Sequence, residues 1–345
     1  MKRLFILFLI AFLTIPVKAA EPHIPVPPAE AQEMMPENTD HFGVGFHQLI
    51  QNVLRKLRPD LLEASKVSLS MIAAVMIVSV LKTFSGPIQR IADLAGSAAV
   101  AAGLFMTSNS LIRLGAETVM EISEYGKLLL PVLTGALAAQ GGVTKSSAIF
   151  AGTAGFMALL GSLISRILIP MTYLFLIFSL GSSSLGEESL KKVQKLLQNV
   201  ISWSLKTIIT IFTSYIGLTG IVTGTADAAA LKAAKAAVST VVPVVGNILS
   251  GASETMLLSA AMVKNAAGIY GILAVLAIFL GPFLKILAHY WVLKVTSAVC
   301  SVFGTGPVSA LVEDFSAAMG FLLAMTGTTC LMMLIGTVCF MKGVG

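Results

Sequence analysis

Residues 146–165 read SSAIFAGTAGFMALLGSLIS, twenty positions without a charge, and after Arg166 the apolar text resumes as ILIPMTYLFLIFSLGSSSL over 167–185. As a helix either run is about 30 Å long, the thickness of a bilayer's hydrocarbon core. Helix is the structure such a run requires, because lipid offers no partner to an open backbone N–H or C=O. The rest of the chain has the same character. Of 345 residues, 56% are hydrophobic and 12% charged, against about 25% charged in a soluble domain. Mean hydropathy is +0.89. These values exclude a typical cytosolic protein and point to an all-α, polytopic helical integral membrane protein.

Upstream of these runs, Lys2 and Arg3 precede an uncharged stretch over 4–17, and Val17 and Ala19 supply small residues at the −3 and −1 positions of a cleavage site. Residues 1–19 therefore read as a cleavable secretory signal peptide, cut after Ala19. Its loss removes Lys2, Arg3 and Lys18, so the formal charge falls from +6 to +3. Segment 20–45 sets Pro22, Pro25, Pro27, Pro28 and Pro36 among Glu21, Glu30, Glu33, Glu37 and Asp40. It is expected to be an acidic, proline-rich tether outside the cytoplasm, too poor in apolar surface to fold. Over 46–66, Phe46, Leu49, Ile50, Val53, Leu54 and Leu57 keep helical spacing opposite Gln48, Gln51, Asn52, Arg55, Lys56 and Arg58. That pattern predicts an amphipathic juxtamembrane helix ending near Pro59, which lies on the outer membrane surface, docks a partner or packs on the protein's own membrane domain.

The multi-span domain, 67–345, divides by hydropathy into about nine spans (range seven to eleven), at 67–81, 94–112, 128–143, 146–165, 167–185, 207–226, 265–284, 295–312 and 315–341. Charge placement orients them. Lys82 and Arg90, Lys145, the lysines of 186–206, Lys285 with Lys294, and Lys342 fall on cytoplasmic turns. The net acidic stretch from Arg113 to Lys127, then Arg166, Lys264 and the pair Glu313-Asp314, falls outside. Residues 227–264 are only weakly apolar, interrupted by Pro243 and Gly246, and are expected to form a re-entrant or broken-helix region. Gly304, Gly306 and Pro307 mark a further candidate break. Small residues four apart, as at Ser316, Gly320 and Ala324, suit close helix packing.

Chemistry is sparse along this chain. There is no phosphate-binding GxxxxGK[ST] loop, no HExxH and no GxSxG elbow. Cys300, Cys330 and Cys339 have neither zinc-site nor redox spacing and read as buried thiols. His23, His41 and His47 lie in the outer segment, and His289 reads as a packed or interfacial histidine. No catalytic residue, cofactor or metal site is expected, and the protein is not expected to be an enzyme. The scattered basic residues form no nucleic-acid stripe; membrane lipid is the expected surrounding. The candidate functional residues are the intramembrane or interface charges Asp227, Lys232, Lys235, Glu254 and Lys264, since charge inside a bilayer is costly and is retained where it is paired or reached by water. Location at an interface is their simpler explanation.

It is this middle region that carries a family likeness. Thr225-Ala226-Asp227 with the Ala/Lys run to Lys235, Val-Pro-Val-Val-Gly over 242–246, Ala252-Ser253-Glu254-Thr255 and the stretch from Lys264 to Gly271 resemble the stage III sporulation protein AE family. The signal peptide, polar N-terminal stretch and polytopic remainder are similar too, although that N-terminal stretch is short here. The resemblance implies an endospore-forming bacterium and a place in the mother-cell-derived outer forespore membrane, with the mature N-terminus extracytoplasmic. It implies as partners other stage III sporulation A-operon proteins, including a separate ATPase subunit and ring-forming subunits, and, indirectly, forespore stage II sporulation protein Q. The expected function is a structural or export-platform subunit of a mother-cell-to-forespore channel or secretion-like complex. The alternative is a self-contained secondary transporter with its site at 227–264.

Overall fold

Between its few glycine and proline breaks the chain is rich in Ala, Leu, Met, Lys and Glu, all good helix formers, so long rods are the default. The computed structural model describes residues 24–39, 41–81, 87–185, 188–241, 246–302 and 306–342. The signal peptide, 1–19, lies outside the described residues. The elements are α1 (Ala29–Gln32), α2 (Phe42–Leu81), α3 (Pro87–Ala139), α4 (Val143–Leu163), a single π turn (Ile164–Leu168), α5 (Ile169–Leu185), α6 (Glu188–Val241), α7 (Gly246–Val302) and α8 (Gly306–Met341). Among the described residues there is no strand.

Four described stretches are long and apolar enough to cross a membrane: Val143–Ser183, Ser189–Thr219, Ala261–Val302 and Val308–Met341. The expected count of about nine is not reproduced among the described residues, and two of the turns it rests on do not form. Helix α3 passes without interruption through Arg113 to Lys127, where an external connector was expected. Arg166 sits in the π turn of one continuous rod rather than at a bend between two spans. Helix α2 likewise runs through Pro59, where an end was expected. For the two charged stretches the reason is the same. Charges on the exposed side of a helix interrupt its hydropathy without breaking its hydrogen bonds, so hydropathy alone divides a rod that the backbone keeps whole. As a result α3, with 53 residues, is about 80 Å long, far more than the bilayer core is thick.

A real turn forms between α3 and α4. Gly141 has a φ of 90°, a left-handed value that side chains resist, and the Gly142 N–H closes the helix end on the Leu137 carbonyl at 3.2 Å. From this hairpin the register follows. Gly115 of α3 faces Ile286 and Leu322, Gly126 faces Met333 and Leu129 faces Gly271, so α3 runs parallel to α8 and antiparallel to α7. Helix α8 is the axis of the bundle: it packs on α3, α4, α5, α6 and α7, and 56% of its most apolar window is buried, against 28% for α6.

The tether expected to remain unfolded docks instead. Ala31 is buried, Met34 and Met35 pack on the core, and Met34 lies against Gly281 of α7. Asn52 of α2 donates to the Met34 carbonyl at 3.3 Å, and Lys56 pairs with Glu33. The segment makes no core of its own but borrows an apolar surface already built by α2 and α7. The amphipathic stripe of 46–66 divides in the same way: Leu49 and Val53 are buried while Phe46 and Leu54 stay exposed, so this helix packs on the protein's own membrane domain.

Candidate functional site

Of the five charges singled out in sequence, Lys264 is the one whose side chain is described. Asp227, Lys232 and Lys235 lie on α6 and Glu254 on α7, with side chains outside the described residues. Gly304 lies outside them as well; α7 ends at Val302, and Gly306 and Pro307 open α8, where a proline lacking its N–H costs nothing.

Lys264 is buried, 6% exposed, on α7. Its Nζ donates to Gln140 Oε1 at 2.9 Å, and Gln140 is positioned by the glycine turn between α3 and α4. Lys145 of α4 lies near enough to act on it electrostatically, and both Lys145 and Lys342 act on Cys339 of α8. Gly268 meets Met341 beside them. Lys264 therefore shares one end of the bundle with Lys145 and Lys342, not the opposite end expected for it. The ammonium is met by a neutral amide oxygen, and the Gln140 Nε2 is buried with no partner. That makes this corner an anchor between α3 and α7 with a donor to spare.

A second polar cluster was not picked out in sequence, where Asp314 reads as half of an external charge pair. Ser179 of α5 donates to Asp314 Oδ2 at 2.7 Å, and buried Gln194 of α6 also bonds its carboxylate. Next to it, Lys294 of α7 pairs with Glu313 at 2.9 Å. Two adjacent acidic residues thus hold three neighbours to α8. The available signal was the isolation of Glu313-Asp314 in a helix otherwise free of charge, which in a membrane demands partners.

Hydroxyl groups repeat the theme. Ser297 and Ser309 each donate to the other's backbone carbonyl at 3.0 Å, closing the α7–α8 hairpin, and Ser316 donates to the Tyr290 carbonyl at 3.2 Å. Buried His289 makes a 2.9 Å hydrogen bond within its own helix to the Lys285 carbonyl, as a packed histidine does. Around the middle of α3, Arg113 donates to Glu117 at 2.7 Å. Half-buried Glu121 titrates above the ordinary carboxylate range because burial, then Glu30, Glu117 and Glu124, oppose its charge. Glu33 titrates lower than usual, held by its hydrogen bond to Lys56. Among the described residues no group of three His, Cys, Asp or Glu is arranged to hold a metal ion. Lys264, Asp314, Ser297, Ser309 and Ser316 join helices, while other polar groups bond within their own helix.

The comparisons agree with the likeness seen in the middle region. No solved structure matches the chain. A curated relative, Stage III sporulation protein AE of Bacillus subtilis (strain 168), is 24% identical over 285 residues, covering 83% of this chain and 64% of its own length. The chain thus spans just under two thirds of that relative. The family profile described as Stage III sporulation protein AE matches residues 30–344, from the docked tether through every long helix to the end of α8. A match of that extent, over a helical bundle whose polar residues bridge α3, α5, α6, α7 and α8, places the chain in the stage III sporulation protein AE family.

Proposed function

We propose that the protein is a membrane subunit of a mother-cell-to-forespore channel or secretion-like complex, acting as a structural or export platform in the outer forespore membrane. Family membership supports a role in sporulation. The observation that carries the finer reading is the use of polarity in the bundle: Lys264, Asp314, Ser297 and Ser309 are engaged between helices, as in a scaffold. On this reading the protein has no chemistry of its own and depends on partners, namely other stage III sporulation A-operon proteins including a separate ATPase subunit and ring-forming subunits. Contact with forespore stage II sporulation protein Q is indirect. The end bearing Lys145, Lys264 and Lys342 faces the mother-cell cytoplasm, consistent with the positive-inside bias. Affinity purification of the full chain from sporulating cells tests the proposal: the operon proteins should co-purify, and the isolated protein in vesicles should show no uptake. Substrate-dependent uptake without partners would favour the transporter instead.

A further inference from the structure

Helix α3 keeps one face turned out from the bundle, an exposed stripe that holds Arg113, Glu117, Met120, Glu124, Lys127 and Leu128. Its other face is packed: Gly126 meets Met333 of α8, and Leu129 meets Gly271 of α7. The register against α4 follows from Gly161, where a Cβ would lie 3.6 Å from Ser123 Oγ. In this antiparallel pair Lys127 therefore stands level with Met157, and Glu124 with Leu160. Both levels fall inside the uncharged run 146–165, which is itself about as long as a bilayer core is thick. Where that run crosses the membrane, the two charges lie within the hydrocarbon rather than at its edge. Charge in that position normally turns inward, pairs or meets water. Arg113 and Glu117, further along the stripe, close on each other at 2.7 Å, but among the described residues no ion pair engages Glu124 or Lys127. Even bonded to each other at i, i+3, they would leave ammonium donors and carboxylate lone pairs facing lipid. Both charges line an open cleft of about 450 Å³ between α3 and α4, with small residues such as Ala154 and Ala158. Leu128 and Leu159, next in sequence to the lining residues Lys127 and Ala158, are 58% and 56% exposed.

We propose that this face is the contact between two copies of the chain, related by a two-fold axis along the membrane normal. Charge complementarity identifies the partner. Two copies inserted the same way bring parallel α3 helices together, and an isologous contact sets Lys127 of each copy against Glu124 of the other. The members of each ion pair differ in height by about 4.5 Å, the rise of three helical residues, which their long side chains span. A partner of another kind would have to present both signs at that same spacing, as this chain already does. The exposed leucines and the small residues of the cleft then pack on their counterparts, as small residues do between membrane helices. The contact does not depend on the sporulation reading.

Two differently tagged full-length copies, co-expressed and transferred to nanodiscs, test the contact. Wild-type copies should co-purify, and native mass spectrometry should count two chains. Glu124→Lys and Lys127→Glu should each lower co-purification at least about tenfold, because charged hydrogen bonds give way to like charges. The double exchange, Glu124→Lys with Lys127→Glu, should restore it, yet the doubly exchanged chain should not pair with the wild type. Helix content by circular dichroism checks the fold of each variant. A second measurement needs no charge reversal: in membranes under mild oxidation, Glu124→Cys in one copy should cross-link to Lys127→Cys in the other. Two copies of Ile211→Cys, exposed on α6, should not. A monomeric wild type, co-purification unmoved by the single reversals, or no cross-link between positions 124 and 127 would each overturn the proposal. So would a folded double exchange that fails to restore pairing, the result expected if lipid or a different protein covers this face.

Discussion

Gly152 is the position at which a single atom decides the packing. A Cβ built there would lie 2.1 Å from the Tyr215 ring, whose hydroxyl donates to the Ala148 carbonyl at 3.0 Å, and Phe156 stands against the other side of that ring. The ring cannot yield without losing its hydrogen bond. Gly152→Val is expected to cost about 1–3 kcal/mol of stability, read as an earlier thermal unfolding transition in detergent. Its neighbour Thr153 carries the opposite expectation. Its Oγ1 is buried without a partner, so Thr153→Val exchanges a desolvated hydroxyl for a methyl and should leave stability unchanged or raise it. For Glu121 the sign depends on pH. Since its carboxyl titrates above the ordinary range, its charge costs stability once ionised, and that cost is absent at low pH and develops as pH rises through the carboxylate range. Glu121→Gln should stabilise by about 0.5 kcal/mol at neutral pH, from relief of like charges at Glu117 and Glu124, with the gain shrinking as the buffer is acidified. At this scale the sequence was informative about residue type but not about pairing. Lys264 stood out as a charge near apolar text, yet its partner Gln140 is 124 positions away and announces nothing by itself.

Helix length is where reading by hydropathy and the folded chain part company. The stretch from Arg113 to Lys127 looks like a loop because it is charged, and is helical because Glu, Lys, Ala, Leu and Met all favour helix and their charges can point outward. The turn between α3 and α4 carries Gly141, which lies inside a stretch that hydropathy reads as a span, while Gly306 and Pro307, marked in the sequence as part of a candidate break, open α8. Spin labels at exposed Met106 and Ala139 test the continuity of α3 directly. Electron–electron distance measurement should return about 50 Å, the length of 33 helical residues; a hairpin turning within 113–127 would bring the labels to less than half that.

At the scale of the whole molecule, class and family were legible because composition and an extended set of short motifs are global properties that need no fold. The arrangement was not, since only the contacts show that Lys145, Lys264 and Lys342 gather at one end and that α8 is the axis. Cysteines introduced at positions 145 and 342 should label from the cytoplasmic side, and one at position 120 from the other. The central claim, a helical membrane subunit on which sporulation depends, is tested most directly by deleting the gene in its own host and counting heat-resistant spores. The account predicts that engulfment completes, that the forespore then stalls, and that spore yield falls by orders of magnitude and returns with the wild-type copy. A normal yield from the deletion strain would contradict it.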